Sequence, residues 1–350
     1  MKAPFSPYLL QIKPGLKKLV ALLRRNWDYV SVLATDTVGL TVAISQHARS
    51  VGSETMATER GIVVRLYRDG QYREYALNEF DPEQADQTAA RIEAELSAQQ
   101  AVLECCGSKV YETGALSDEP LTLFVEKETE QLPETTDVKA LVDRLTALSD
   151  RGMAADERMI ECMARAQSTH VSKLFLTEHR DLSQSYVYSE GVVVPIMRGE
   201  NGVQDGYEGV AGLCGPEIFD QLDGKLESGV AMVRDLLTAG RIEPGEYEII
   251  TSPEVSGLIA HEAFGHGVEM DMFVKNRALG KEYIGKRVGS DLVTMHEGAL
   301  CAENVTSFAF DDEGTAAGDV IEMFLRDVRA SFCISSDNLS FNAASFRFVL

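Results

Sequence analysis

Two histidines and a glutamate in the stretch IAHEAFGHGVEMD, residues 259–271, have the residue types needed to hold a divalent metal. His261 and His266 are five positions apart, and Glu262 directly follows the first histidine. Neutral imidazole nitrogens bind zinc, and a nearby carboxylate can act as general base toward a water that the metal activates. The HExxH motif of zincins spaces its histidines four apart, so the wider spacing here needs a structural explanation.

On a regular α-helix, residues five apart lie about 140° apart around the axis, whereas residues four apart are separated by about 40°. A π-bulge shifts the repeat toward i→i+5 and returns both histidines to one face. Gly265 and Gly267 flank His266 and lower the cost of such a distortion, although each weakens a plain helix by about 1 kcal/mol relative to alanine. The residues alone leave two readings: a π-bulged metal site, or a helix with two ordinary polar histidines.

A helix must carry these residues, and its start is well marked. Ser252 supplies a capping hydroxyl and Pro253 suits the first helical position, so we expect a helix from about Pro253 through Met270. The preceding GEYEIITSP, residues 245–253, is typical of a short buried strand. Glu269 follows His266 by three positions and could orient that histidine, serve as a ligand, or face solvent.

The first half of the chain combines helices with alternating apolar and polar residues. A short amphipathic helix is expected over residues 16–25, and two half-buried strands over residues 28–54. Asp69-Gly70 marks a β-hairpin turn within residues 61–77. Asp81, followed by Pro82 and Gln84, begins a further helix. Residues 125–139 are typical of a linker or surface loop.

Beyond this loop we expect helices over residues 138–148 and 155–167, then strands over residues 171–199 with a hairpin turn at Gly191. A helical segment follows and stops at Gly240. The pattern predicts an α+β protein: an N-terminal mixed α/β domain (residues 1–150) and a C-terminal domain rich in antiparallel β-strands (residues 151–350). The second domain is expected to be incomplete at its C-terminal end, and the metal-binding helix to lie at the junction.

Composition excludes several functions. With 45% apolar and 25% charged residues the chain is typical of a globular protein, and its net charge of −22 disfavours nucleic acid or anionic membranes as partners. No targeting or membrane-spanning segment is predicted, and the six cysteines form no disulfide-scaffold spacing, which favours a cytoplasmic location. Adjacent Cys105 and Cys106 are expected to be buried. Dinucleotide, P-loop and serine-hydrolase motifs are missing, so we predict no other cofactor-binding residues.

The string HEAFGHGVEMD resembles the HEAxGHxxE motif of the TldD/PmbA family, peptidases once described as modulators of DNA gyrase. GIVVRLYRDG, PGEYEIITSPEVSGLIAHEAFGH, GKRVGSDLVTMHEGAL and AFDDEGTAAG occur in the order typical of that family, and the resemblance covers most of residues 28–318. It implies zinc bound by His261 and His266, with Glu262 activating a zinc-bound water. It also implies a cytoplasmic dimer, either a homodimer or a heterodimer with a family homologue, that admits unfolded or short peptides.

The resemblance fades after Gly318. The family's third ligand is a cysteine near the end of a longer chain, and neither Cys301 nor Cys333 has the matching context, so we assign neither and expect both to be buried structural thiols. Divergence, truncation or a frameshifted tail would each produce this pattern. His296 is expected in a turn, and Asp311–Gly314 in a hairpin turn.

Two function classes follow. The first is a zinc-dependent peptidase; the second is a catalytically incomplete TldD/PmbA-like partner or scaffold subunit without a full metal site. Intact His261, Glu262 and His266 favour the peptidase, and the missing cysteine favours the scaffold. Hydrolysis of a non-peptide amide is a third possibility, since ligands alone do not define a substrate.

Overall fold

The computed structural model of the chain describes residues 1–53, 60–106, 114–200, 202–269, 272–273, 275–278, 280–283, 286, 294–297, 299–300, 305, 307–317, 321–324 and 345–349. Its contacts define two compact units, Met1–Gly240 with Asp312–Gly314, and Arg241–Asp311 with Thr315–Leu350. The predicted domain boundary at residue 150 stays a prediction; it falls inside a helix of the first unit.

Among the described residues, the first unit contains four α-helices and nine strands. The helices are α1 (Pro7–Leu23), α2 (Ala85–Cys106), α3 (Val138–Ala154) and α4 (Leu226–Thr238). The strands are β1 (Tyr29–Ile44), β2 (Arg49–Gly52), β3 (Arg60–Arg68), β4 (Gln71–Leu77), β5 (Leu121–Glu126), β6 (Met159–Leu176), β7 (Arg180–Gly199), β8 (Gly202–Asp205) and β9 (Glu208–Gly212). Short 3-10 helices lie at Pro82–Gln84, Pro133–Thr135 and Pro216–Gly224.

All nine strands join one sheet with the main order β4-β3-β1-β6-β7-β5, while β2 pairs with β1, and β8 and β9 pair with β7. Only the β5–β7 pair among them is parallel. The described part of the second unit contains α5 (Pro253–Ala260) and the strands β10 (Glu246–Ile250), β11 (Thr294–Glu297), β12 (Ile321–Phe324) and β13 (Ser345–Val349), with 3-10 turns at His266–Val268 and Gly280–Tyr283. The pairs β10–β13 and β11–β12 are antiparallel. The predicted α+β class is confirmed, and the structure adds that the nine strands of the first unit form one mostly antiparallel sheet.

Strand β1 is long enough to contribute to two separate apolar cores. Its residues Val30 and Val32 pack in a core under α1 and α2, and Val42 and Ile44 pack in a second core under α3 and α4. Side chains two apart on a strand share a face, so one face of β1 serves both cores. Burying each such side chain stabilises the fold by about 1.5–3 kcal/mol before chain-entropy costs.

Many local predictions are confirmed. Asp69 and Gly70 have φ values of 54° and 74° in the hairpin turn. Asp81 caps Pro82–Gln84 by accepting a hydrogen bond from the backbone of Glu83. The predicted helix at 138–148 is α3, and residues 311–314 form a turn in which Gly314 has a φ of 76°. Connecting residues separate β5 from α3 as expected, although Leu132 among them is buried.

The predicted helix over residues 155–167 is wrong, because this segment enters β6. Its alanines and methionines favour helix locally, but β6 pairs with β1 on one side and β7 on the other. Cys162, Ala164 and Ala166 alternate along the strand and are buried in the second core. Tertiary pairing and burial therefore override the helix propensity.

The predicted hairpin turn at Gly191 is also wrong, since Gly191 lies inside β7 and pairs with Ala166 and Val210. A Cβ atom at this position would lie 2.9 Å from Leu222 Cδ1 and 3.2 Å from Phe219 Cδ1. The glycine therefore permits close approach of the 3-10 helix Pro216–Gly224 to the sheet. The β6–β7 turn instead follows Thr177, whose backbone N–H donates to the Arg180 carbonyl.

Three further predictions need correction. His296 lies in strand β11 rather than in a turn, because its segment pairs with β12. Strand β10 forms, but it is not buried: Ile250 is 94% exposed. Cys105 and Cys106 are exposed at the last turn of α2, beyond the helix residues that reach the first core.

The close approach at Gly191 generates a stability prediction. Gly191→Val should lower the free energy of unfolding by about 1–3 kcal/mol, because the added side chain overpacks the Leu222–Phe219 contact. Chemical denaturation measures the change. Gly240→Val is the matched control, since no heavy atom lies within 4 Å of a Cβ built at Gly240. Equal stability of the two variants would contradict the role given to Gly191.

Candidate metal centre

The helix that carries the histidine motif begins where the sequence predicts. Ser252 has an extended conformation, and its Oγ accepts a 3.4 Å hydrogen bond from the Val255 backbone N–H. Pro253 occupies the first turn of α5, where its missing N–H costs no helical hydrogen bond. The regular α-helix ends at Ala260, immediately before the first histidine.

Residues His261–Gly265 form a π-helix, which confirms the predicted π-bulge. The backbone N–H of His266 donates to the carbonyl of His261, an i→i+5 hydrogen bond between the two histidines themselves. Gly265 keeps right-handed angles (φ −52°, ψ −58°), so the turn does not require a left-handed residue. A 3-10 turn over His266–Val268 completes the helical segment, and Glu269 is extended with a ψ of 129°.

The π-turn places both imidazole rings on one side. The ring centroids of His261 and His266 are 4.4 Å apart, with an interplanar angle of 68°. One ligand atom from each of His261, Glu262 and His266 lies within 4.8 Å of the others. His261 is half-buried, whereas the side chains of Glu262 and His266 are 62% and 46% exposed. The geometry therefore brings together all three residues that the sequence nominates.

Glu269 and Glu262 approach opposite edges of the His266 ring. Nδ1 of His266 lies 2.8 Å from Glu269 Oε1, so the ring N–H donates to that carboxylate. Nε2 of His266 lies 4.0 Å from Glu262 Oε2. Of the three roles considered for Glu269, the contact agrees with orientation of His266, because a hydrogen bond at Nδ1 leaves Nε2 as the ligand atom.

A third protein ligand from cysteine is not found among the described residues near this cluster. Cys301 and Cys333 lie outside the residues that the structure describes. In the first unit, burial raises the pKa of Cys162 to about 11, and burial together with Glu217 and Glu130 raises the pKa of Cys214. Both thiols are thus held in the protonated form, which does not bind zinc well.

A second cluster, which the sequence analysis missed, consists of Asp118, Glu178 and His179, whose ligand atoms also lie within 4.8 Å of one another. Asp118 accepts a hydrogen bond from Thr177, and Glu178 forms a 2.9 Å ion pair with Arg24. These carboxylates already have protein partners that account for their placement. Residues 118 and 178–179 are far apart in sequence, so spacing alone gives no signal of the cluster.

His170 has no partner by sequence spacing, yet the structure places it in a buried polar network. Its Nδ1 donates to Glu134 Oε1 at 2.7 Å, and its Nε2 lies 2.9 Å from Ser185 Oγ. Ser185 Oγ also lies 3.2 Å from the carbonyl oxygen of Pro4. Ser185 is completely buried, so the Ser–His–Glu array acts as a structural connection rather than an accessible nucleophile.

The fold and the histidine cluster together define a class: an α+β protein with a candidate His–Glu–His metal centre on a π-bulged helix. Comparisons with known proteins identify a narrower group to which the chain is similar. Residues 244–321 match the model of the PmbA/TldA metallopeptidase C-terminal domain. A metalloprotease of Synechocystis is 26% identical over 314 residues, 88% of this chain and 65% of its own length. A metalloprotease of Methanocaldococcus jannaschii is 37% identical over 117 residues, 33% of this chain and 26% of its own length.

The crystal structure of TldE from Thermococcus kodakarensis has the same fold, with a TM-score of 0.63 at 14% identity, covering 88% of this chain and 67% of that one. The chain is therefore similar to PmbA/TldA metallopeptidases over residues 244–321. It spans less than two thirds of the length of the curated relatives named above. Within the part of the chain that the structure describes, no helix is long and apolar enough to cross a membrane.

The Glu134–His170 contact generates a prediction about acid stability. Burial raises the pKa of Glu134, but hydrogen bonds from His170 and from its own backbone N–H outweigh burial and hold the pKa below its ordinary value of 4.5. The ionised carboxylate therefore stabilises the fold above pH 4.5, and this contribution is lost as pH falls through the lower folded-state pKa. Glu134→Gln should flatten the acid limb of a stability–pH profile measured by denaturation.

The exposed Glu157 provides the matched control, and Glu157→Gln should retain the wild-type acid limb. His170→Ala should lower the free energy of unfolding by about 1–3 kcal/mol, because it leaves buried polar groups without their partner. A Glu134→Gln profile identical to wild type at acid pH would contradict this coupling.

Proposed function

We propose that the chain is a zinc-dependent peptidase for unfolded or short peptides, with His261 and His266 as ligands and Glu262 as general base. One observation carries this proposal: the π-turn brings two imidazoles and a carboxylate within 4.8 Å of one another. Such turns are uncommon and are concentrated at functional sites. The relatives from Methanocaldococcus jannaschii and Synechocystis are both named metalloproteases, which supports the same chemistry.

The donor set fits zinc. Imidazole nitrogen and carboxylate oxygen are its usual ligands beside thiolate, and a catalytic zinc has three protein ligands and one open position. Bound zinc would lower the pKa of a coordinated water to about 7 and polarise the substrate carbonyl. His261 and His266 would supply two of these ligands.

Glu262 is positioned to move the proton. Its exposed carboxylate, 4.0 Å from His266 Nε2, can accept a proton from a water that attacks the scissile amide carbon. The same carboxyl group then donates that proton to the leaving nitrogen as the C–N bond breaks. Water is consumed, and the products are a carboxylic acid and an amine.

Glu269 acts as a positioning residue through His266. Its 2.8 Å hydrogen bond fixes the orientation and tautomer of the ring, so that Nε2 points toward the Glu262 side. Partners of this kind contribute about 10–100-fold to metal affinity. The side chain of Glu269 is 24% exposed, less than the side chains of Glu262 and His266.

The proposal extends to location and assembly. The resemblance to the TldD/PmbA family supports a cytoplasmic dimer, either of this chain or with a homologue such as a TldE-like subunit. Extended peptides can bind such enzymes by adding a strand to a sheet edge, which excludes folded proteins from the site. The chain spans less than two thirds of the length of these relatives, and we propose that it is active by itself.

Metal analysis tests the ligand assignment. The purified chain should bind one zinc ion per copy, and His261→Ala should abolish that binding, as measured by atomic absorption after dialysis. Glu269→Gln should weaken zinc binding by about 10–100-fold without abolishing it. His47→Ala is the control, because His47 is an exposed histidine outside the cluster. Absence of zinc from the folded wild-type chain would instead favour the partner or scaffold function.

Peptide hydrolysis tests the role of Glu262. Glu262→Gln should reduce the rate with a fluorogenic extended peptide by about 10²–10⁴-fold while zinc remains bound, because the amide cannot accept the proton. Glu282→Gln provides a control at another exposed glutamate of the same unit. Full activity of the Glu262→Gln enzyme would refute the assigned base but not the metal site.

A further inference from the structure

A cavity of about 420 Å³ opens on the first unit, within the roughly 300–1,000 Å³ typical of small-molecule sites. It is lined by β6, β7 and β9 and the segment just before β9. The contributing β6 residues alternate as Met163, Arg165 and Gln167, so the cavity lies on the sheet face opposite the second apolar core. All of its residues belong to the first unit, whereas the metal centre belongs to the second.

The cavity is lined by charged side chains of both signs, Arg165 and Glu190. Arg165 is exposed, and within the described residues it makes no ion pair; its guanidinium donates a 2.8 Å hydrogen bond to Gln167 Oε1. Glu190 faces Gln167 directly across the β6–β7 pair and is exposed, with no side-chain partner in the described part of the chain. A cation and an anion therefore lie on neighbouring positions of one sheet face without forming a pair with each other.

Gln167 adds a buried donor. Its side chain lines the cavity but is only 2% exposed, and its Nε2 has no hydrogen-bond partner among the described residues. The Arg165 contact at Oε1 fixes the orientation of the amide, because a flipped amide would place two donors against each other. An unpaired buried N–H₂ group is destabilising, so an occupant that offers an acceptor oxygen is favoured there.

The remaining lining is apolar. Val192, Val194 and Met163 form a floor on β7 and β6, and Tyr207, which is 69% exposed, contributes an aromatic wall. An apolar floor with a few convergent polar groups is typical of a ligand pocket. The cavity therefore combines an anion-binding end at Arg165 and Gln167, a cation-binding end at Glu190, and room for an apolar group.

We infer that this cavity binds the zwitterionic backbone of an amino acid or short peptide with an apolar side chain. The α-carboxylate would accept hydrogen bonds from Arg165 and Gln167 Nε2, the α-ammonium would pair with Glu190, and the side chain would lie on the valine floor. The hydrogen bonds at both charged ends of the ligand would be charge-assisted, and such bonds are stronger than hydrogen bonds between neutral groups. This site is additional to the proposed peptidase centre and does not depend on it.

Calorimetric titration of the full chain tests the inference with three ligands: L-leucine, the dipeptide Leu-Leu, and N-acetyl-leucine amide, which lacks both charges. At least one zwitterion should bind saturably, and the capped compound at least tenfold more weakly. Preference for leucine or for Leu-Leu identifies the free amino acid or the peptide as the natural class. Equal binding of the capped compound, or no binding of either zwitterion at millimolar concentration, would overturn the inference.

Variants assign the contacts. Glu190→Gln and Arg165→Gln should each weaken zwitterion binding at least tenfold, whereas Arg198→Gln, at an exposed arginine of β7 outside the cavity, should leave it unchanged. Thermal unfolding of each variant confirms that the chain remains folded. His261→Ala should bind the zwitterion as wild type does, which separates this site from the metal centre. Wild-type affinity in both cavity variants would contradict the assignment.

Discussion

The candidate site depends on a single backbone hydrogen bond, from the N–H of His266 to the carbonyl of His261. An i→i+4 bond at this point would turn the two imidazoles to different sides of the helix, since five-residue spacing corresponds to about 140°. The i→i+5 bond closes a wider turn, in which residues five apart lie on the same side of the helix. Glu262 and Glu269 then reach opposite edges of the His266 ring, so the arrangement of four side chains follows from one main-chain contact.

In the first unit, two apolar cores lie on one face of the same sheet. Between them, the row occupied by Asp36 and Val38 on β1 pairs with Ser172 and His170 on β6. Polar groups in this middle strip are hydrogen-bonded to one another and to the N-terminal segment; Ser6 N–H, for example, donates to Ser172 Oγ at 3.0 Å. Ser172 and His170 are buried in this strip although they are polar, because each has hydrogen-bond partners.

The sequence predicted best where local chemistry decides the structure. The Ser252-Pro253 helix start, the Asp69-Gly70 turn and the π-bulge each follow from a few adjacent residues, and all three are confirmed. Prediction failed where pairing or packing with residues distant in sequence determines the structure. Residues 159–167 have helix-forming side chains but pair on both sides, and Gly191 meets Leu222 and Phe219 rather than forming a turn. His170 was overlooked for the same reason, since its partner Glu134 is 36 positions away.

Because β1 runs through both cores, the two groups of helices cannot lose their packing independently. If β1 separates from β6 at the end under α1 and α2, it loses ladder hydrogen bonds there. These bonds belong to a register that continues without a break to the end under α3 and α4. Two cores that are joined by a continuous ladder behave as one cooperative folding unit, whereas cores joined by a flexible linker melt separately. We therefore expect the backbone amides of the 13-residue β1–β6 register, from Val32 to Ile44, to become accessible to exchange with solvent together.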